Sequence, residues 1–171
     1  RNSYDLAFDS KGTLIATDNQ PDVLDKDLTW EPPEELNIIR EGENYGYPDV
    51  FGFPPPWSDS TAPIALFPSH SVATGVVAYS GEQFPSEYQD KIFVTLFGPL
   101  VNPKYRGLVT PKVVVVSLVE PSTGGIRGSV EDFALGLKAP IDVAVDKKGH
   151  LYVADYAGHM VYRVSWAGQE K

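Results

Sequence analysis

Cysteine is absent from all 171 residues, so no disulfide framework can staple this chain. That composition suits an exported bacterial protein as well as a cytosolic one. No run of about 18 apolar residues occurs, and nothing in the sequence reads as a membrane-spanning helix. No secretory leader is visible. The chain opens on Arg1-Asn2 without an initiator Met and runs straight into a strand, so we expect the natural N-terminus to lie upstream. Basic runs are missing too, and the net charge is −9. That balance argues against nucleic acid and against an anionic membrane surface as partners. It leaves solubility or cation binding as the use of the acidic groups. Neither a phosphate-cradling G-x-G-x-x-G loop nor a nucleophile elbow is present.

Breakers are plentiful instead. There are 15 Gly and 15 Pro, which points to short elements joined by turns. Frequent Val, Tyr and Phe favour strands. Residues 4–9 and 13–18 read as two strands of a hairpin, with Gly12 where the turn needs a positive φ. The same fourteen-residue pattern returns near the end without a gap. Asp5, Ala7, Asp9, Lys11, Gly12, Leu14 and Asp18 are matched by Asp142, Ala144, Asp146, Lys148, Gly149, Leu151 and Asp155. A weaker copy joins residues 75–79 to 91–95. The units start near 5, 75 and 142, a period of about 70 residues.

Repetition of a multi-strand unit at this period predicts a β-propeller built from four-stranded blades. The first blade adds residues 36–40 and 64–67 to its hairpin. The second adds 112–119 and 130–135, and the third adds 160–165. The expected architecture is all-β, a six-bladed type of propeller of which about three blades are present, at 1–70, 71–136 and 137–171. Three blades do not close a ring of four to eight. Two bare sheet faces are therefore expected, each an exposed apolar patch.

The most distinctive stretch is residues 34–48, where the pair Glu34-Glu35 leads an apolar strand into the turn Asn44-Tyr45-Gly46-Tyr47-Pro48. The rest of the chemistry lies in inserts. Residues 20–33 are polar and acidic. Residues 49–63 are Pro-rich and aromatic and cannot form a central strand. Residues 99–111 carry Lys104 and Arg106. Long inserts on one side of a repeat fold commonly form its binding face. His70 precedes the second blade, where it is either a channel group or a locally satisfied loop residue. His150 and His159 read as surface residues, and the three do not form a metal motif.

Taken together, Arg1-Asn2, the first hairpin, Asn19-Gln20-Pro21-Asp22, Glu34-Glu35-Leu36-Asn37 and Asn44-Tyr45-Gly46-Tyr47-Pro48 resemble the glucose/sorbosone dehydrogenase family. Phe84-Pro85 with Tyr88, Ile92-Phe93-Val94 and residues 140–145 extend the resemblance over nearly the whole chain, closest to the sorbosone-dehydrogenase-like branch. The resemblance implies a six-bladed propeller that uses pyrroloquinoline quinone (PQQ) and Ca²⁺. It would oxidise sugars or related polyols and aldehydes by hydride transfer to the quinone. It implies that the base, a His, comes from a blade upstream of Arg1. Arg1 matches the family's active-site Arg and Asn2 its quinone-contacting neighbour. Gln20 and Pro21 match positions whose carbonyls hold the catalytic Ca²⁺. Glu34, Glu35 and the Tyr45 carbonyl match a second, structural Ca²⁺ site. It further implies a periplasmic or extracellular enzyme, a cytochrome or similar electron acceptor, and a missing N-terminal half as the obligatory partner.

Three departures stand beside the matches. The Arg pair that clamps the quinone carboxylates in the family's sugar dehydrogenases is Ala139 and Ile141 here, which removes two charge-assisted donors. Lys104 and Arg106 are the candidates for replacing that charge. Pro55 stands where some relatives have a further carboxylate ligand. A non-catalytic propeller used for binding or assembly is the competing expectation, and a lactonase-like propeller with a single divalent metal is a third.

Overall fold

The structure is a computed structural model, and it describes residues 1–21, 31–99, 104–105, 107–120 and 125–168. Among the described residues, eleven strands make up three antiparallel sheets. The first sheet holds β1 (Asn2–Phe8), β2 (Leu14–Asn19), β3 (Glu34–Ile39) and β4 (Ala65–Phe67), in that order. The second holds β5 (Ala73–Ala78), β6 (Ile92–Leu96), β7 (Lys112–Val119) and β8 (Arg127–Ala134). The third holds β9 (Pro140–Val145), β10 (Leu151–Asp155) and β11 (Met160–Val164). The only helical element among the described residues is a 3-10 turn at Ser86–Tyr88. The expected strands are therefore present. The third sheet departs from the four-stranded expectation, since it has three strands among the described residues.

The repeat identities have structural causes. Asp9 and Asp146 each accept the main-chain N–H groups two and four residues on, at 2.7–2.9 Å, and so close the hairpin turns. Gly149 takes φ +86°, and an added Cβ would come within 2.7 Å of the Gln83 nitrogen, so no larger residue fits that turn. Leu14 and Leu151 sit at matching positions of the second strands. At the other end of those strands, Asp18 and Asp155 turn back onto the main chain that leads into β1 and β9. Asp18 lies 2.8 Å and 2.7 Å from the Arg1 and Asn2 nitrogens. Asp155 accepts from Lys138, Ala139 and Gly158 at 2.9, 2.8 and 3.1 Å. Both carboxylates are buried.

Each first strand carries an irregularity in its pairing, between Ser3 and Leu6, between Ala73 and Val76, and opposite Ala154–Asp155. Such bulges increase local twist, and the three first strands pack side by side, β1 on β5 and β5 on β9. Gly75 permits the closest approach, because a Cβ there would lie 2.6 Å from the Asp142 Cα. Two apolar cores fill the gaps between sheets. Ile15, Leu36, Ile38 and Phe67 meet Val76, Val94, Leu96 and Val114 between the first and second. Tyr79, Phe84 and Phe93 meet Val143, Leu151 and Val153 between the second and third. The outward faces stay bare, as expected. Tyr4, Leu6 and Phe8 are 49–67% exposed on β1, and Met160 and Val161 are 55% and 70% exposed on β11.

The strand order places one end of all three sheets on a common face. Strands β1, β5 and β9 begin there, β2, β6 and β10 end there, and the described residues 20–21, 31–33, 68–72, 97–99, 135–139 and 156–159 lie there. The hairpin turns at 9–13 and 146–150 lie at the opposite end.

Asp155→Ala strands three N–H donors, that of Ala139 buried and those of Lys138 and Gly158 partly so, and it is expected to cost about 2 kcal/mol at neutral pH. Burial pushes the Asp155 carboxyl up, but the Lys138, Ala139 and Gly158 N–H groups outweigh it and hold the pKa below its ordinary value of 3.8. A depressed carboxylate stabilises the fold above its unfolded pKa and loses that effect as pH falls below it. Denaturant melts of parent and variant should therefore diverge at pH 7 and converge in acid. Parallel curves at all pH values would count against this role.

Candidate functional site

The common face gathers most of the sequence candidates. Arg1 and Asn2 lie at the start of β1, where Asp18 holds their main-chain nitrogens. Both side chains are exposed. The Arg1 guanidinium donates to the Gln20 carbonyl at 3.1 Å. Gln20 is itself buried at the exit of β2, and its N–H donates to Glu34 Oε2 at 2.7 Å. The structure thus links Arg1, Asn2, Gln20 and Glu34 in one chain of contacts, in which the buried Asp18 carboxylate, not among the sequence candidates, holds Arg1 and Asn2. Its recurrence as Asp155 is the signal that could have found it. Pro21 follows Gln20 on this face. Arg106 lies outside the described residues.

Glu34 and Glu35 do not converge. They are consecutive in β3, so their side chains leave on opposite faces of the sheet. Glu34 reaches Gln20 and, more loosely, the Val72 N–H at 3.4 Å. It therefore ties the exit of β2 to the approach of β5, where His70 and Val72 hold the left-handed φ values 63° and 53°. Glu35 accepts from Gly52 N–H at 2.6 Å and Asn37 Nδ2 at 3.2 Å. The Tyr45 hydroxyl donates to the Ile38 carbonyl at 2.9 Å and accepts the Arg40 N–H at 2.7 Å, locking the turn after β3. Burial raises the Tyr45 pKa. Glu34 and Glu35 leave on opposite faces of β3, so the two carboxylates do not close on one ion. Among the described residues no three His, Cys, Asp or Glu groups could hold one metal.

Glu35 is 2% exposed, and its cross-strand partner in β2 is Asp18. Its pKa is raised chiefly by burial, against the pull of the Gly52 and Asn37 hydrogen bonds, with the Asp18 charge adding to the rise.

The donor set near Gln20 is better suited to a hard cation. The Asn19 Oδ1 and Gln20 Oε1 atoms are buried and have no hydrogen-bond partner among the described residues. With the Gln20 and Pro21 carbonyls they supply oxygen donors of the kind Ca²⁺ takes. Buried amide oxygens left without a donor are costly unless something occupies them. An exposed guanidinium and an exposed amide beside them fit an acidic quinone.

A second cluster on the same face surrounds His70. The ring is 7% exposed and stacks on Tyr105 at 3.6 Å between centroids. Its Nε2 lies 3.2 Å from Glu31 Oε2. Lys104 Nζ sits 3.6 Å from Glu31 Oε1 and donates to the Tyr105 hydroxyl at 2.9 Å. The Tyr105 hydrogen bond, then His70 and Lys104, hold the Glu31 pKa below its ordinary value against burial. Lys104, one candidate for the missing quinone clamp, is thus engaged with Glu31 and Tyr105. Of the clamp positions themselves, Ala139 is fully buried and Ile141 half-buried. His150 is half-buried and rests 3.0 Å from Asp146 in its hairpin, while His159 is exposed at a turn.

The NHL repeat family matches residues 137–161. A protein from Thermus thermophilus, named as a glucose-dehydrogenase-type oxidoreductase, shares 24% identity at a TM-score of 0.64 over 90% of this chain and 39% of its own. This chain is part of a β-propeller. The PQQ-bound aldose sugar dehydrogenase from Streptomyces coelicolor has 20% identity and a TM-score of 0.60, over 90% of this chain and 36% of its own. A Borreliella burgdorferi protein named only as uncharacterised is 25% identical over 96% of this chain. The chain spans 46% of that relative's length. The resemblance to soluble sugar dehydrogenases therefore holds at the level of the fold, and of a partial ring.

Burying an ionised Glu35 beside Asp18 opposes folding at neutral pH. An acid whose folded pKa is raised contributes most below its unfolded value and progressively costs stability as pH rises through the folded one. Glu35→Gln keeps an oxygen for Gly52, and a turned Asn37 amide can face the new NH₂ group. The variant is expected to melt higher than the parent at pH 7 in chelator and to lose that advantage below pH 4.5, the carboxyl's ordinary value. A variant that melts lower at every pH would count against this reading.

Proposed function

We propose that this chain supplies about half of a six-bladed quinoprotein dehydrogenase, with blades at 1–70, 71–136 and 137–171. Its substrates would be sugars or related polyols and aldehydes. The observation that carries the reading is the group formed by Arg1, Asn2 and the Gln20 turn, with Arg1 and Asn2 held by Asp18, beside two buried amide oxygens that have no donor among the described residues. Similarity of fold to solved sugar dehydrogenases supports it.

PQQ, when bound, accepts the hydride removed from a hydroxyl-bearing carbon. Arg1 offers a fixed positive charge to negative charge developing on an oxygen beside it, in a position set before the reaction by Asp18. Asn2 orients through its amide. Asn19, Gln20 and Pro21 would hold Ca²⁺ through oxygen atoms alone, and Glu34 keeps that turn in place. Lys104 borders the same face through Glu31 and Tyr105, and Arg106 is the other basic residue of its insert in the sequence. The base, a periplasmic or extracellular setting and an electron acceptor such as a cytochrome are parts of the same reading. The bare faces at Tyr4, Leu6 and Phe8 and at β11 are where the remaining blades would pack. Covering each large apolar side chain would contribute roughly 1.5–3 kcal/mol. Alone, the 171 residues would lack both base and closed ring and be inactive.

A non-catalytic propeller that binds or assembles is the second reading, and the buried Ala139 at the clamp position favours it. Dye-linked oxidation by the complete polypeptide, supplied with Ca²⁺ and PQQ, separates the two. Activity is expected, and Arg1→Ala should lower kcat by about 10²–10³-fold, as loss of a preorganised charge does. No sugar oxidation and no quinone absorbance band from the reconstituted protein would rule out the enzyme.

A further inference from the structure

The internal repeat reaches beyond its aspartates. The shift that carries Asp18 onto Asp155 also carries Arg1 onto Lys138 and Asn2 onto Ala139. The structure realises this correspondence in hydrogen bonds. Asp18 holds the Arg1 and Asn2 nitrogens at 2.8 and 2.7 Å, and Asp155 those of Lys138 and Ala139 at 2.9 and 2.8 Å. Lys138 therefore stands at the Arg1 position of the third sheet, on the same face. Between them, Val72 leads into β5 and carries no charge.

The surroundings of Lys138 leave its charge available. Its side chain is exposed, and its ammonium makes no hydrogen bond or ion pair with a described residue. It lies near enough to Asp155 to help keep that carboxyl ionised. Its main chain is nevertheless fixed by a buried group, so the four-carbon stem projects from a rigid base. Lys104, by contrast, is engaged with Glu31 and Tyr105.

We propose that Lys138 is a binding residue for a carboxylate of the acidic quinone, placed by the repeat at the Arg1 position of the third sheet. It supplies positive charge that Ala139 and Ile141 do not. The proposal rests on the quinoprotein reading given above. It requires no covalent step. An ammonium acts on a carboxylate as a compact point charge with three donors.

The test is equilibrium titration of the complete, Ca²⁺-loaded polypeptide with PQQ, read by quenching of tryptophan fluorescence at low and high salt. Lys138→Ala is expected to weaken binding about tenfold at low salt, the scale of one charge-assisted contact. Its salt dependence should be shallower than the parent's, because one screened interaction is gone. Lys138→Arg should restore both. The melting temperature of Lys138→Ala should match the parent's, since the side chain is exposed. Equal affinity and equal salt dependence in Lys138→Ala would overturn the proposal while leaving quinone binding intact. A loss that Lys138→Arg fails to restore would overturn it as well. Failure of the parent to bind would remove the functional reading and this inference together.

Discussion

The arrangement depends on a buried carboxylate at the end of a second strand, folded back onto the N–H groups that open the first. Backbone N–H groups at a strand start have no ladder partner of their own, and leaving them dry and unpaired costs free energy. Asp18 and Asp155 satisfy them from inside the sheet. The same contact fixes where Arg1 and Lys138 stand. Stability and the placement of charge on the common face are thus one interaction. The second sheet does without it. Thr95 occupies the equivalent place, and its hydroxyl meets Thr74 at 2.8 Å. A hydroxyl pair closes the strand start there without a charge, and the residue that precedes β5 is Val72.

Polar groups are unevenly distributed through the first sheet. Ile15, Leu36 and Ile38 belong to its apolar core, while Asp18, Asn19, Gln20, Glu34, Glu35 and Asn37 are polar and all buried. Burial of the three carboxylates is tolerable because each accepts from main-chain N–H groups. The amide oxygens of Asn19, Gln20 and Asn37 have no hydrogen-bond partner among the described residues. An interior with spare acceptors and few spare donors is suited to a cation.

Much of this is legible in the sequence. The hairpins at 4–18 and 142–155 follow from alternation and turn chemistry, and the strands lie close to where periodicity places them. Of the inserts at 20–33 and 99–111, the described residues Glu31 and Tyr105 do meet around His70 on one face. What the sequence obscures is direction. Glu34-Glu35 reads as a pair in one dimension, yet a strand sends neighbours to opposite faces. His70 has the sequence surroundings of a loop residue, and only the fold brings Tyr105, from an insert in the next sheet, to stack on it. The gapless repeat aligns Lys138 with Arg1 in one dimension, and the hydrogen bonds of Asp155 show that the two stand at the same place in their sheets.

The contacts between sheets draw largely on main-chain atoms. Asp5 accepts the Val76 N–H, Thr17 donates to the Thr74 carbonyl, Gly128 donates to the Ile64 carbonyl and Tyr79 to the Gly149 carbonyl. In each of these the partner contributes only peptide groups, which every residue type but Pro possesses in full. At Val76, Thr74 and Ile64 the hydrogen bond itself places little demand on the side chain, whereas at Gly149 only glycine fits. Neighbouring units can then drift apart in sequence while their docking geometry stays constant. A unit built this way can be copied, and its copies specialised, without redesigning the seam between them.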